Sequence, residues 1–200
     1  MVEGFLSKET FPVSDTFALK GVELVFRSLR RAYHNDTDIA ARSDMALAAT
    51  LGGYIFSFPW FAAYLGHAVA EYAGARFAIP HGIACGIALS YMMAFDLPAC
   101  TERLAMLAKT MDSHRSGTIR EMAATAVQMV ADLIRDVDLP VSLREAGVPE
   151  SEVAPLAKDL FEMIQGVYNL PATLPRQLTS DNAYDYVRDM WEGKILGREL

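Results

Sequence analysis

Two histidines lie on either side of a predicted helix break in the segment GHAVAEYAGARFAIPHG, residues 66–82. The apolar periodicity places His67 inside a helix, and Pro80 ends that helix so that His81 falls in the first turn of the next one. Two imidazoles from consecutive antiparallel helices could face one divalent ion. Because two imidazoles alone neither fix the geometry nor hold an ion tightly, the pattern predicts that further ligands complete the site.

Two other side chains share the faces of these histidines. Glu71 follows His67 by one helical turn, and it could accept a substrate proton, orient the imidazole of His67, or enter the metal shell. An ordinary ion pair with Arg76 fits the same spacing. Cys85 follows His81 by one turn and could approach the ion, although a buried free cysteine more often packs as a small hydrophobic residue.

The stretch from residue 45 to 70 contains no Asp, Glu, Lys or Arg and is long enough to span a bilayer. The pair Gly52-Gly53 and Pro59 divide it into two shorter helices, which favours a buried helix pair over a small membrane protein. The stretch also contains an aromatic run that fits either an apolar substrate pocket or core packing. Its members are Tyr54, Phe56, Phe58, Trp60 and Phe61.

Composition limits the class of protein. The 200 residues are 52% hydrophobic and 22% charged, which is typical of a globular domain. The net charge of −7 argues against binding to nucleic acid or to anionic membranes. Two cysteines without a cleavable secretory signal predict a cytoplasmic protein with no disulfide framework.

The hydrophobic periodicity is helical nearly throughout, and no strand-like alternation occurs. Ser14 and Asp15 are predicted N-caps of a first long helix, and Gly147 is predicted to end a short helix late in the chain. Further helices are predicted over residues 38–55 and from about Thr179. The fold class is therefore predicted to be all-α, a single helical domain over residues 1–200. Neither GxGxxG nor GxxxxGK[ST] is present, so no dinucleotide site is visible.

Several segments together resemble the iron-containing (group III) alcohol dehydrogenases, part of the wider group that includes glycerol dehydrogenase and dehydroquinate synthase. The similarity is to the C-terminal helical, metal-binding half of that family. It is specific because the segments occur in the same order over most of the chain. They are VEGFLSKETFPVSDTFALKGVEL, HNDTDIAARSDMALAATLGG, GHAVAEYAGARFAIPHGIACGIAL, LPVSLREAGVPESEV and PRQLTSDNAYDYVRDMWEGK.

The resemblance implies a metal held by one aspartate and three histidines between an N-terminal nucleotide-binding α/β domain and a C-terminal helical domain. His67 and His81 match the last two ligands. The first two ligands belong to a helix whose continuation resembles Met1 to Phe5, so the nucleotide domain and half of the metal shell are expected to be absent from this chain. Glu71 occupies a position where many relatives carry a histidine associated with proton transfer.

The resemblance implies that the chain is the metal-binding half, in shortened form, of an NAD(P)-dependent oxidoreductase that converts an alcohol to an aldehyde or ketone by metal-assisted hydride transfer. The implied metal is Fe²⁺ or Zn²⁺, and NAD(P) is expected only if the nucleotide domain is supplied elsewhere. The alternatives are a non-catalytic helical interaction module or half of a split enzyme, with a companion chain or a homodimer as partner.

Overall fold

The computed structural model describes residues 1–57, 65–166 and 172–199. Within these ranges the chain is mainly helical, which confirms the predicted all-α class. The sequence pattern does not predict the small β-hairpin near the C-terminus. The α-helices are α1 (Val2–Leu6), α2 (Pro12–His34), α3 (Ile39–Phe56), α4 (Leu65–Phe77), α5 (His81–Asp96), α6 (Thr101–Met111), α7 (Ile119–Asp136), α8 (Val153–Gly166) and α9 (Ser180–Glu192). A short 3-10 helix (Glu150–Glu152) precedes α8, and strands β1 (Lys194–Ile195) and β2 (Arg198–Glu199) pair antiparallel.

Consecutive helices pack in pairs: α2 with α3, α4 with α5, α6 with α7, and α8 with α9. Helix α5 also contacts α7 and α9, and its side chains Ile87, Ala88 and Met93 are buried almost completely. The short α1 packs against α2 and α6. The core therefore surrounds α5, and it fixes the positions of the two helices that carry the histidines.

Helix starts follow local capping signals. The side chain of Asp38 accepts a hydrogen bond from Ala41 N at 2.9 Å at the start of α3. Thr118 with Glu121 begins α7, and Thr179 with Asn182 begins α9, each pair forming a reciprocal capping box. The predicted last helix is confirmed at that position.

The predicted N-caps of the first long helix are wrong by about one turn. Helix α2 begins at Pro12, whose fixed φ suits the first helical position. Ser14 lies inside this first turn, where its hydroxyl accepts from Phe11 N at 3.1 Å and donates to Phe11 O at 2.8 Å. Asp15 instead forms an ion pair with Arg103 at 2.5 Å.

The short helix predicted to end at Gly147 is also wrong, because residues 141–147 form turns. Val141 N donates to the side chain of Glu145 at 3.0 Å, which replaces a helical hydrogen bond. Gly147 has a φ of 87°, a left-handed conformation that lets Val148 N donate to Leu143 O at 2.9 Å.

The uncharged stretch from residue 45 to 70 is divided between α3 and α4, and residues 58–64 lie outside the described ranges. Among the helices that the structure describes, none combines the length and the apolar character needed to cross a membrane.

Candidate metal centre

The two histidines come from consecutive helices, α4 and α5, which a tight turn connects. His67 lies in α4, which ends at Phe77. Ala78 has a φ of 54°, and Ile79 N donates back to Gly74 O at 3.1 Å, so the chain reverses within three residues. Pro80 is the N-cap of α5 and His81 is its first residue, as the sequence predicts.

The two imidazoles lie against each other. Their ring centroids are 5.5 Å apart, with an angle of 56° between the ring planes. Phe56, at the end of α3, packs edge-on against His67 with centroids 5.0 Å apart. The side chain of His67 is 24% exposed, whereas His81 is exposed. One imidazole is therefore held by its surroundings, and the other is accessible.

Cys85 completes a cluster of three potential ligands. Its Sγ lies 3.4 Å from His81 Nε2, one helical turn along α5. Each of His67, His81 and Cys85 offers one ligand atom, and these three atoms lie within 4.8 Å of one another. Within the described residues, this is the group of histidine, cysteine and carboxylate side chains whose arrangement suits a metal ion.

A buried carboxylate orients His67. Oε2 of Glu3 lies 2.5 Å from His67 Nδ1, and Glu3 is 8% exposed. Gly66 makes room for it, because a Cβ at that position would lie 2.0 Å from Glu3 Oε1. When Nδ1–H donates to Glu3, the lone pair of Nε2 is left for a cation.

The sequence analysis assigns no role to Glu3, although one signal for it is present. It is an acidic residue between Val2 and Phe5, both of which are buried. A carboxylate within such an apolar segment needs a partner in the folded protein. The sequence does not show which partner it has.

The electrostatics of the cluster favour positive charge at His67. Burial alone would lower the pKa of His67, but hydrogen bonds with Cys85 and Glu3 outweigh it and raise the pKa to about 10. A cation that binds through this imidazole must displace the proton, so metal affinity depends on pH.

Glu71 lies one turn after His67 on α4 and is exposed. Its carboxylate is not part of the ligand cluster found among the described residues. Arg76, considered as its ion-pair partner, contacts Glu152 at 2.6 Å and Asp159 at 3.7 Å. The carboxylate that contacts Nδ1 of His67 is that of Glu3.

An apolar cavity of about 290 Å³ adjoins the cluster. Glu3, His67 and Cys85 lie on one wall of it, and aliphatic and aromatic side chains of α2, α3 and α7 form much of the rest. Among these are Val22, Val25, Phe26, Ile55, Val130 and Ile134. A mostly apolar pocket with a few convergent polar groups is the usual form of a small-molecule site.

The aromatic run contributes less to this cavity than the sequence suggests. Phe56 lines the cavity, whereas Tyr54 packs edge-on against Phe17 with centroids 5.5 Å apart. Phe58, Trp60 and Phe61 lie outside the described residues.

Comparisons with known proteins show which family the chain resembles. The family described as "Fe-containing alcohol dehydrogenase family, C-terminal" matches residues 1–189. The chain is 32% identical to 1,3-propanediol dehydrogenase from Citrobacter freundii over 160 residues, covering 78% of this chain and 40% of that enzyme. It is 34% identical to long-chain-alcohol dehydrogenase 1 from Geobacillus thermodenitrificans over 163 residues, covering 80% of this chain and 40% of that enzyme.

A solved structure of 1,3-propanediol oxidoreductase superposes on the chain with a TM-score of 0.85 at 27% identity. The superposition covers 95% of this chain and 48% of that one. The chain thus spans less than half the length of each of these relatives.

Proposed function

The chain belongs to the iron-containing alcohol dehydrogenase family, and on that premise we propose that it is the metal-binding half of an NAD(P)-dependent oxidoreductase acting on small alcohols and aldehydes. The observation that carries this proposal is the convergence of His67 and His81 beside an apolar cavity. Residues 1–200 form one helical domain in this proposal, and the nucleotide-binding domain lies outside it.

The donor set fits the implied metal. Imidazole nitrogen is a good ligand for both Fe²⁺ and Zn²⁺, and the carboxylate of Glu3 on Nδ1 of His67 is the arrangement that fixes a metal-binding imidazole. His67 and His81 would hold the ion, and further ligands would complete its shell. When bound, the ion supplies Lewis-acid polarisation of the substrate oxygen.

The remaining steps belong to side chains of this domain. The cavity binds the aliphatic part of the substrate and excludes water from it. A cavity of about 150 Å³ holds benzene, so this one, with about twice that volume, has room for a medium-length aliphatic chain. The carboxylate of Glu71 accepts the hydroxyl proton on the accessible side of α4 and passes it to solvent.

Hydride transfer requires a nicotinamide nucleotide, and the sequence contains neither of the two glycine-rich nucleotide-binding motifs. NAD(P) is therefore supplied by a nucleotide-binding domain, either upstream in a longer protein or on a companion chain. The cytoplasm is the proposed location, because both Cys85 and Cys100 are free thiols.

The test is reconstitution. The purified chain is loaded with Fe²⁺ or Zn²⁺ and mixed with the separately expressed nucleotide-binding half of 1,3-propanediol dehydrogenase. NAD-linked oxidation is then followed for primary alcohols from propanol to decanol. We expect turnover in the mixture and its loss in His67→Ala and His81→Ala. Metal binding and turnover that are unchanged in both variants would refute the proposal.

A non-catalytic interaction module is the second candidate, and α3 favours it. Buried residues of α3 are Ala41, Ala48 and Ile55, whereas Ile39 is 71% exposed and Leu47 is 48% exposed. Such apolar exposure suits packing against a second surface. A chain that self-associates but binds no metal would support this reading.

A further inference from the structure

Cys85 stands where its sulfur reaches both histidines. Its Sγ is 3.4 Å from His81 Nε2, and it lies within 4.8 Å of a ring nitrogen of His67. The side chain is partly buried and is a free thiol. The sulfur therefore contacts the two imidazoles instead of packing solely among apolar groups.

We propose that Cys85 is a thiolate ligand, so that His67, His81 and Cys85 form a three-ligand site that prefers Zn²⁺ to Fe²⁺. The inference rests on the proposed function, because it concerns the same metal centre. The thiol proton leaves to solvent when the ion binds, and the sulfur supplies the electron pair of the new bond.

The distances support this set. Zn–N bonds of about 2.1 Å and a Zn–S bond of about 2.3 Å in a tetrahedral centre place the nitrogen and sulfur about 3.5 Å apart. The observed separation between Cys85 Sγ and His81 Nε2 is 3.4 Å. All three ligand atoms lie within 4.8 Å of one another, so only small side-chain movements are needed to bring them around one ion.

The charges support it as well. One thiolate and two neutral imidazoles leave a divalent ion with one positive charge, and the carboxylate of Glu3 beside His67 balances it. Zn²⁺ is a borderline-soft ion that takes tetrahedral sets of imidazole nitrogen and thiolate sulfur, as this cluster offers. Three protein ligands with a fourth position open is the arrangement of a catalytic zinc site.

Cobalt binding tests the proposal, because Co²⁺ bound to a thiolate gives a near-ultraviolet sulfur-to-cobalt charge-transfer band in addition to its visible d–d bands. The metal-free chain is titrated with Co²⁺ alone, and Zn²⁺ affinity is then measured by displacement. Cys85→Ala removes the proposed ligand. Cys100→Ala is the matched control, since that cysteine is 8% exposed and its thiol bonds to the backbone of Asp96 at 3.1 Å.

We expect the charge-transfer band in the wild-type chain and in Cys100→Ala, and its loss in Cys85→Ala together with a fall in zinc affinity of more than about tenfold. Circular dichroism checks that each variant is folded. Visible d–d bands without the sulfur band in the wild-type chain would overturn the role of Cys85 while leaving a histidine site intact. Absence of any cobalt binding would remove both that role and the metal centre of the proposed function.

Discussion

Oε2 of Glu3 lies 2.5 Å from Nδ1 of His67, although 64 residues separate the two in sequence. The contact joins α1 to α4 and fixes which imidazole nitrogen faces the candidate metal centre. In the proposed metal centre, Glu3 would be a positioning residue that acts on the ion through His67.

Replacing this carboxylate should weaken metal binding without abolishing it. Carboxylates that orient a metal-binding imidazole typically contribute 10- to 100-fold in affinity, so we expect a loss of about that size in Glu3→Gln. Calorimetric titration with Zn²⁺ measures it. Glu71→Gln is the matched control, and an affinity for Zn²⁺ in Glu3→Gln equal to that of the control would contradict the role.

The space beside Glu3 is set by Gly66. A Cβ at residue 66 would lie 2.0 Å from Glu3 Oε1, so Gly66→Ala should displace the carboxylate and lower metal affinity much as Glu3→Gln does. In the Glu3→Gln background the same change should lower affinity less, since the two substitutions act on one contact.

Gly53→Ala in α3 controls for a helical glycine, because nothing lies within 4 Å of a Cβ built there. It should leave metal affinity unchanged and stabilise the protein by up to about 1 kcal/mol. Additive effects of Gly66→Ala and Glu3→Gln on Zn²⁺ affinity would show that Gly66 does not act through Glu3.

Glu71 should behave differently from Glu3. Because it is exposed and outside the ligand cluster, Glu71→Gln should bind Zn²⁺ normally. In the reconstituted enzyme, loss of a proton-transferring group should lower kcat by about 100-fold or more and flatten the pH profile. A higher KM with kcat unchanged would instead indicate a purely structural role for Glu71.

Sequence reasoning succeeds where the physical signal is local. Pro80 removes a backbone donor, so the start of α5 at His81 follows from adjacent residues alone. The capping boxes at Thr118 and Thr179 are likewise contained within four residues. Ser14 shows the limit of such signals, because Pro12 also offers a helix start and the sequence does not decide between them.

The contacts that shape the candidate site are long-range, and the sequence does not specify them. Glu3 meets His67 because α1 packs into the same core as α4 and Gly66 leaves room for its carboxylate. Cys85 is predicted to share a face with His81, but its contact with His67 depends on how α4 packs against α5. Helical periodicity fixes faces, whereas packing fixes distances between them.

Two buried tyrosines provide a matched test of hydrogen bonding in the core. The hydroxyl of Tyr91 donates to Val141 O at 2.6 Å, whereas among the described residues the hydroxyl of Tyr186 has no hydrogen-bond partner. Tyr91→Phe leaves a buried carbonyl unpaired and should cost about 1–3 kcal/mol in the free energy of unfolding. Tyr186→Phe should be neutral or stabilising by about 1 kcal/mol.

Urea denaturation of the two variants measures both values under identical conditions. Equal destabilisation by the two substitutions would mean that loss of the hydroxyl, and not loss of its hydrogen bond, determines the effect. The comparison is direct because Tyr91 is 3% exposed and Tyr186 is 5% exposed.

Asp96 should make stability fall as pH rises. It is 2% exposed, and burial, together with the charge of Glu3, raises its pKa from 3.8 to about 7, although Arg176 N donates to Oδ1 at 3.3 Å. Between these two pH values the folded chain holds a proton that the unfolded chain releases. The free energy of unfolding should therefore decrease from about pH 4 to about pH 7, by an amount on the order of 4 kcal/mol for this group.

Asp96→Asn removes this titration while retaining an oxygen that accepts from Arg176 N. Urea denaturation of metal-free protein at a series of pH values should then show a smaller decrease in the variant than in the wild-type chain. Asp36→Asn, at an exposed turn after α2, should leave the wild-type slope unchanged. Because all other titrating groups are common to these two chains, identical slopes in Asp96→Asn and the wild-type chain would show that folding does not raise the pKa of Asp96.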